Sequence, residues 1–227
     1  MGILNTTPDS FFDGGRFLAP DDALERSRRM VEEGADVIDV GGESTRPMAV
    51  KIPLQEELDR VLPVIQRIRK EFPVPVSIDT TKSEVARFAV AEGASIINDV
   101  SGGRADPSIL RVAAETRAGL VLMHSRGDPQ TMQTLTEYRF VADDVLSELK
   151  TAIAAAREAG VAYDRIVVDP GFGFAKTAAQ NLDLLRGLET FRAIGRPVLA
   201  GVSRKSFLGA IVNQQAGGRL AASLAAQ

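Results

Sequence analysis

The sequence of 227 residues contains no cysteine and no tryptophan, and it has a single histidine. The absence of cysteine excludes disulfides and thiolate metal sites, and one histidine is too few for a metal site built from several histidines. Aromatic residues make up only 5% of the chain, so the core has to be mainly aliphatic. The net charge of -3 gives no basic surface for nucleic acid, and no apolar run reaches the length of a membrane span. We therefore expect one domain, residues 1–227, in the cytoplasm, with no nucleic-acid or membrane partner.

Short runs rich in Val, Ile and Leu alternate with amphipathic stretches along the whole chain. The apolar runs lack regular polar alternation, which is typical of strands buried on both faces of a parallel sheet. Strands are predicted at 2–5, 36–41, 75–79, 95–99, 120–124, 165–169 and 197–201. Helices are predicted at 21–33, 54–71, 83–92, 107–115, 140–160, 181–194 and 206–226, and glycines at 34, 93, 160 and 195 are placed as C-caps.

Polar residues occur at or just after the end of every predicted strand. In a doubly wound open sheet the site gathers at one switch point, whereas a closed barrel brings the ends of all its strands to one mouth. The pattern therefore favours a TIM (β/α)8 barrel over the open sheet. Because only seven strands are counted, we expect a barrel that is truncated before its eighth strand.

Three of these polar residues, Asp79, Asn98 and Asp169, end apolar runs. A carboxylate at the end of a buried strand is costly unless it is paired or binds a ligand. Two carboxylates and an amide that face one mouth are suited to the hydrogen-bonding edge of a flat, nitrogen-rich heterocycle.

Other segments suggest anionic or aromatic ligands. Thr45 and Arg46 follow a glycine pair, which lets backbone N–H groups and a guanidinium approach an anion. The segment 203–206 follows the seventh predicted strand and opens a predicted helix. It includes Lys205, and a helix N-terminus with cations nearby suits an anionic group, although Ser206 could be a plain N-cap. The segment 169–177 lacks the glycines of a Walker loop and is interpreted as a flexible loop able to fold over an aromatic substrate. His124 is interpreted as structural, and Met123 as either a core residue or a contact to a bound ring.

Together these segments resemble the dihydropteroate synthase family of pterin-binding enzymes, in order and over essentially the whole chain. The matching motifs are Gly2-Ile3-Leu4-Asn5, Thr7-Pro8-Asp9-Ser10-Phe11, Asp13-Gly14-Gly15, Gly42-Glu43-Ser44-Thr45-Arg46-Pro47, Ser77-Ile78-Asp79-Thr80, Ile97-Asn98-Asp99-Val100-Ser101-Gly102, Met123-His124, Asp169-Pro170-Gly171 and Ser203-Arg204-Lys205-Ser206-Phe207. Each motif is weak alone, but their joint occurrence in this order is specific.

The resemblance implies an enzyme that joins p-aminobenzoate to 6-hydroxymethyl-dihydropterin diphosphate, giving dihydropteroate and diphosphate, and that is commonly a homodimer. It implies Mg²⁺ held on the diphosphate with the help of Asn5, and contacts from Thr45 to the pterin diphosphate. Asp79, Asn98, Asp169 and Lys205 would recognise the pterin, with Met123 beside it.

For the second substrate, the resemblance implies a p-aminobenzoate pocket formed by Arg46, Phe174 and Ser206. Asp13 would stabilise positive charge on the pterin methylene. The resemblance implies that Asp13, Arg46 and Lys205 are the catalytic residues.

The chain departs from the family pattern at Phe12, where a small polar residue is usual, and at Met48 and Ala175, where glycine is usual. It also lacks the family's final Arg-x-His-Asp-Val motif. A fragment that binds pterin with impaired turnover is therefore one alternative. A methyl-tetrahydrofolate-binding barrel without synthase activity is another, and a phosphate-handling barrel of an unrelated pathway is a third.

Overall fold

The computed structural model describes residues 1–7 and 20–226, and the predictions for Asp13 and Phe12 lie outside these residues. Six parallel strands alternate with helices along this part of the chain. The strands are β1 (Gly2–Asn5), β2 (Ile38–Gly41), β3 (Val76–Asp79), β4 (Ile96–Asp99), β5 (Gly119–Met123) and β6 (Ile166–Asp169). The helices are α1 (Pro20–Glu32), α2 (Leu54–Glu71), α3 (Ser83–Ala91), α4 (Ser108–Thr116), α5 (Val141–Glu158), α6 (Ala178–Arg186), α7 (Ser206–Val212) and α8 (Leu220–Ala225).

The strands pair in sequence order from β1 to β6, and every pairing is parallel. Each connection passes through a helix, as parallel neighbours require. Strand side chains such as Leu4, Val40, Ile78 and Ile97 are fully buried in a core that also takes the apolar faces of the helices. The alternate residues of each strand point to the opposite face of the sheet. This arrangement confirms the predicted β/α barrel class.

The predicted seventh strand at 197–201 is wrong as a full strand. The structure has a single bridge there, in which Val198 pairs with Val168 in parallel. Two backbone hydrogen bonds accompany it, from the Val168 N–H to the Pro197 oxygen at 3.0 Å and from the Leu199 N–H to the Val168 oxygen at 2.8 Å. Pro197 offers no N–H of its own, which limits the ladder that this segment could make.

The last two predicted helices are wrong in extent, because each is interrupted. The predicted helix at 181–194 begins earlier, at Ala178, where Thr177 and Gln180 form a capping box. It ends at Arg186, and a 3-10 helix, Leu188–Ile194, follows. The predicted helix at 206–226 ends at Val212, because Asn213 adopts a left-handed conformation with φ of 50°. Glycines 217 and 218 then separate α7 from α8, and glycine is a poor helix former.

The predicted C-cap glycines at 34, 93, 160 and 195 all have positive φ, between 70° and 109°, so these turns are confirmed. Within the described residues, no helix has the length and apolar character needed to cross a membrane.

Candidate active site

A row of four residues in register lies at the carboxyl ends of the first four strands, and three of them carry polar side chains. Asn5 on β1 is in register with Gly41 on β2, Gly41 with Asp79 on β3, and Asp79 with Asn98 on β4. Residues in register on adjacent parallel strands point to the same face, so the three predicted site residues of this row share one side of the sheet. The register thus brings together groups that are up to 93 positions apart in the sequence, from Asn5 to Asn98.

Gly41 leaves open space in the middle of this row. A β-carbon at Gly41 would lie 3.4 Å from Oδ1 of Asn5 and 3.6 Å from Oδ2 of Asp79. A side chain there would fill the gap between the two oxygen atoms. The glycine therefore keeps both oxygens accessible to a ligand that enters from the mouth.

The row continues on the next two strands with Met123 and Asp169, which are in register with each other. Met123 lies two residues beyond Val121, the register partner of Asn98, so it shares the face of Asn98. Both residues are almost fully buried. Oδ1 of Asp169 accepts a hydrogen bond of 2.7 Å from the Gly171 N–H, which closes the turn after β6.

A further carboxylate, Asp39, lies one layer below the row and was missed by the sequence reasoning. Asp39 is two residues before Gly41, so it points to the same face, and it is 4% exposed. The amide of Asn98 donates to Oδ2 of Asp39 at 3.0 Å. An acidic residue inside an otherwise apolar strand was a signal available in the sequence, because such a residue is rarely buried without a partner.

The pKa values of these carboxyl groups are raised. Burial raises the pKa of Asp79 well above its usual value, and the charges of Asp39, Glu57 and Asp99 raise it further. Burial also raises the pKa of Asp39, and it raises that of Asp169 to about 6. Among the described residues, Oδ1 of Asp79 is buried without a hydrogen-bond partner. The site therefore contains a costly acceptor that a ligand with N–H donors would satisfy.

Lys205 supplies positive charge to this group of acids. It lies just before α7, and its positive charge partly offsets the rise in the pKa of both Asp79 and Asp169. Burial lowers the pKa of Lys205 itself. Its ammonium lies 4.6 Å from the centre of the Phe174 ring, in a cation–π contact. Lys205 thus joins the polar row to the loop that follows β6.

The loop after β2 carries Thr45 and Arg46, and partly buried ion pairs fix the start of this loop. Lys82 pairs with Glu43 in the loop and with Glu57 of α2. Oε1 of Glu57 also accepts from the Thr80 hydroxyl at 2.6 Å. Farther along, the Met48 N–H donates to the Pro129 oxygen at 2.8 Å, so the loop is also tied to the segment after β5.

The remaining predicted site residues that the structure describes are less buried than the polar row. Thr45 is half-buried, and Arg46 and Ser206 are exposed. Ser206 is the first residue of α7, while Lys205 occupies the N-cap position, so the interpretation of Ser206 as an N-cap is wrong. Asp13 lies outside the described residues.

His124 is buried and hydrogen-bonded through both ring nitrogens, which confirms its structural interpretation. The predicted flexible loop at 169–177 is, in contrast, held inward. Phe172 is 1% exposed and stacks on Phe207, with 6.1 Å between the ring centres. Of the two phenylalanines in this loop, Phe174 is the one that contacts Lys205.

Residues 1–227 match the sequence profile of the family described as pterin binding enzyme. The chain belongs to this family. It is 50% identical over 214 residues to the dihydropteroate synthase of Synechocystis sp., a match that covers 94% of this chain and 74% of the relative.

Solved structures agree with this assignment. The dihydropteroate synthase of Yersinia pestis in complex with a sulfonamide drug superposes with a TM-score of 0.95 at 41% identity, over 100% of this chain and 82% of that one. The enzyme of Xanthomonas albilineans in complex with 7,8-dihydropteroate gives a TM-score of 0.88 at 42% identity, over 100% and 80%. These matches to synthases favour synthase activity over the binding-only and unrelated-pathway alternatives.

Proposed function

We propose that this chain is a dihydropteroate synthase, a transferase that joins p-aminobenzoate to 6-hydroxymethyl-7,8-dihydropterin diphosphate in folate biosynthesis. The observation that carries the proposal is the row Asn5–Gly41–Asp79–Asn98, with a buried oxygen of Asp79 that makes no hydrogen bond among the described residues. The products are 7,8-dihydropteroate and diphosphate.

The pterin ring is recognised by the acids and the amide of the row. The 2-amino group and a ring N–H of a pterin form two parallel donors, which a carboxylate accepts with both oxygens. Asp79 and Asp169 supply such carboxylates, and Asn98 supplies an amide whose N–H is already directed to Asp39. Lys205 donates to acceptor atoms of the ring and balances the carboxylate charges. Met123 packs against the ring.

Asn5 would help to hold Mg²⁺ on the diphosphate. Within the described residues no group of three or more His, Cys, Asp or Glu side chains is placed to hold a metal ion. Mg²⁺ commonly takes one or two protein oxygens and completes its shell with phosphate oxygens and water, so the Asn5 oxygen next to the open space at Gly41 is a suitable donor. The ion would balance charge on the departing diphosphate. Thr45 contacts the same diphosphate.

The second substrate binds between loops. Arg46 and Ser206 hold the carboxylate of p-aminobenzoate, and Phe174 packs against its ring. The C–O bond from the pterin methylene to the diphosphate breaks, the aniline nitrogen forms the new C–N bond, and this nitrogen then loses a proton. A neutral aniline is nucleophilic at neutral pH, so no strong base is needed, and Asp13 stabilises positive charge on the methylene carbon.

Product formation tests the function. The chain, incubated with MgCl2 and both substrates, is expected to form dihydropteroate, detected by mass spectrometry, and one equivalent of diphosphate, detected as phosphate after cleavage by an added pyrophosphatase. Omission of p-aminobenzoate is the control, and a sulfonamide is expected to inhibit competitively with p-aminobenzoate. Pterin binding with no product at any enzyme concentration would instead support a binding-only barrel.

A further inference from the structure

Lys176 is a buried cation in the loop between β6 and α6. It is 4% exposed, and its Nζ lies 3.0 Å from three acceptors: Nδ1 of His124, the Gly171 oxygen and the Phe174 oxygen. A lysine is rarely buried unless its charge is compensated. The sequence predicts this lysine on a flexible loop, whereas in the structure it is buried against His124.

The protonation states around His124 follow from its second contact. Oε2 of Glu148 lies 3.0 Å from Nε2 of His124, and Glu148 also pairs with Arg126. The hydrogen bond from His124 and the pairing with Arg126 lower the pKa of Glu148 to about 2, so it is ionised. An ionised carboxylate only accepts, so Nε2 carries the proton of the ring.

His124 is neutral because burial lowers its pKa to about 4. Its Nδ1 therefore has a lone pair, and Lys176 must donate to it. The two carbonyl oxygens also need donors, and only an ammonium has three. Burial lowers the pKa of Lys176 to about 7, which opposes the charge that these three acceptors require.

The three acceptors of Lys176 connect two parts of the site. Gly171 holds Asp169 through its N–H, at 2.7 Å from Oδ1. Phe174 places its ring next to the ammonium of Lys205. Gly171 has a φ of 73°, and a β-carbon there would overlap the His124 carbonyl oxygen, so the turn fits against β5 with no space to spare. Lys176 thus ties both ends of the turn 171–174 to the end of β5.

We propose that Lys176 is a positioning residue of the synthase: its ammonium, seated on His124, holds the turn 171–174 so that Phe174 forms a wall of the p-aminobenzoate pocket. The inference rests on the proposed function. Asp169 is fixed by the sheet as well as by the turn, so the loss of Lys176 affects the second substrate more than the pterin.

Lys176→Met tests this, because methionine keeps much of the length and lacks the donors. We expect the KM for p-aminobenzoate to rise about tenfold or more, as the loss of one hydrogen bond to a charged group implies. The Kd for the pterin, measured by calorimetry, is expected to stay within about threefold of wild type. Lys150→Met, which changes an exposed lysine of α5, is the matched control and is expected to leave both constants unchanged.

A pair of His124 variants provides a test that does not depend on the folding of Lys176→Met. Asparagine places an amide oxygen near the position of Nδ1, where it accepts from Lys176. Glutamine places its amide nitrogen near Nε2 and offers no acceptor at Nδ1. We expect His124→Asn to keep the KM for p-aminobenzoate within about threefold of wild type, and His124→Gln to raise it as Lys176→Met does.

The outcomes separate the two proposals. A wild-type chain that forms no dihydropteroate refutes the proposed function. An active wild type with an unchanged KM in Lys176→Met, or with equal KM values in the two His124 variants, refutes the positioning role and leaves the function intact. A pterin Kd that rises in parallel with the KM would also overturn it, because that result indicates general loosening of the site.

Discussion

The Asn98 amide donates to the Asp39 carboxylate at 3.0 Å, one layer below the row of polar residues that faces the mouth of the barrel. This contact directs the amide nitrogen of Asn98 toward Asp39, so the amide oxygen of Asn98 points away from Asp39. A ligand then meets an acceptor at Asn98. Asp39 therefore determines a hydrogen-bonding pattern although it lies beneath the ligand.

Asp39→Leu removes this orientation, and we expect the pterin Kd to rise about tenfold or more, since the amide of Asn98 is then free to rotate and is left without its buried partner. Calorimetric titration with pterin measures the change. Asp36→Asn, at an exposed position just before β2, is the control and is expected to bind as wild type does. Unchanged affinity in Asp39→Leu would show that Asn98 is oriented by other contacts.

Asp79→Asn is expected to stabilise the unliganded protein at pH 8. The folded pKa of Asp79 is raised, so its carboxylate form costs stability once the pH exceeds the value of about 4 in the unfolded chain. The neutral amide removes this cost. The gain is expected to disappear as the pH falls toward 4, where the acid is protonated in both states. Urea denaturation at pH 8 and at pH 4 measures it, and a loss of stability at pH 8 would contradict the account.

The affinity for pterin is expected to fall as the pH drops below about 6. Burial raises the pKa of Asp169 to about 6, and the ligand N–H groups need the ionised form, so protonation competes with binding below that value. The slope approaches tenfold per pH unit, as the protonation of one group implies. Titrations from pH 5 to pH 8 measure it. Asp169→Asn is expected to bind pterin weakly and to show no further loss of affinity as the pH falls below 6. If the affinity of this variant still falls below pH 6, the titrating group belongs to the ligand or to another residue.

Met48→Gly is expected to raise the free energy of unfolding by up to about 1 kcal/mol. Met48 has a φ of 66° and is 72% exposed, so glycine relieves a backbone strain of roughly 1–2 kcal/mol with little loss of packing. The greater conformational entropy of glycine in the unfolded chain offsets roughly 0.5–1 kcal/mol of this gain. Val50→Gly is the matched control, because Val50 is 74% exposed and lies outside the positive-φ region. This control is expected to destabilise. Equal destabilisation by both changes would refute the strain.

The barrel class and the polar row could be predicted because both depend on local patterns. Buried parallel strands appear in the sequence as short aliphatic runs. The polar residue that ends such a run faces the mouth of the barrel, as Asp79, Asn98 and Asp169 do. The positive φ of Met48 and Ala175 agrees with the expectation from the sequence that glycine is usual at both positions.

What the sequence could not supply were contacts between distant segments. Lys176 and His124 are 52 positions apart, and nothing in either segment indicates that a loop lysine turns inward onto a strand-end histidine. The interruptions after Arg186 and Val212 depended on turn residues, Gly187 and Asn213, that the helical periodicity concealed. The implied roles of Asp13, the homodimer and the cytoplasmic location stay predictions.

The most direct measurement is a calorimetric titration of 6-hydroxymethylpterin into the wild type and into Asp79→Asn, with Asp36→Asn as the matched control. The account predicts one equivalent bound by the wild type and by the control. In Asp79→Asn, it predicts binding at least about a hundredfold weaker, because two ligand N–H donors lose a charged acceptor. Equal affinity in all three proteins would contradict the assignment of the polar row as the pterin site.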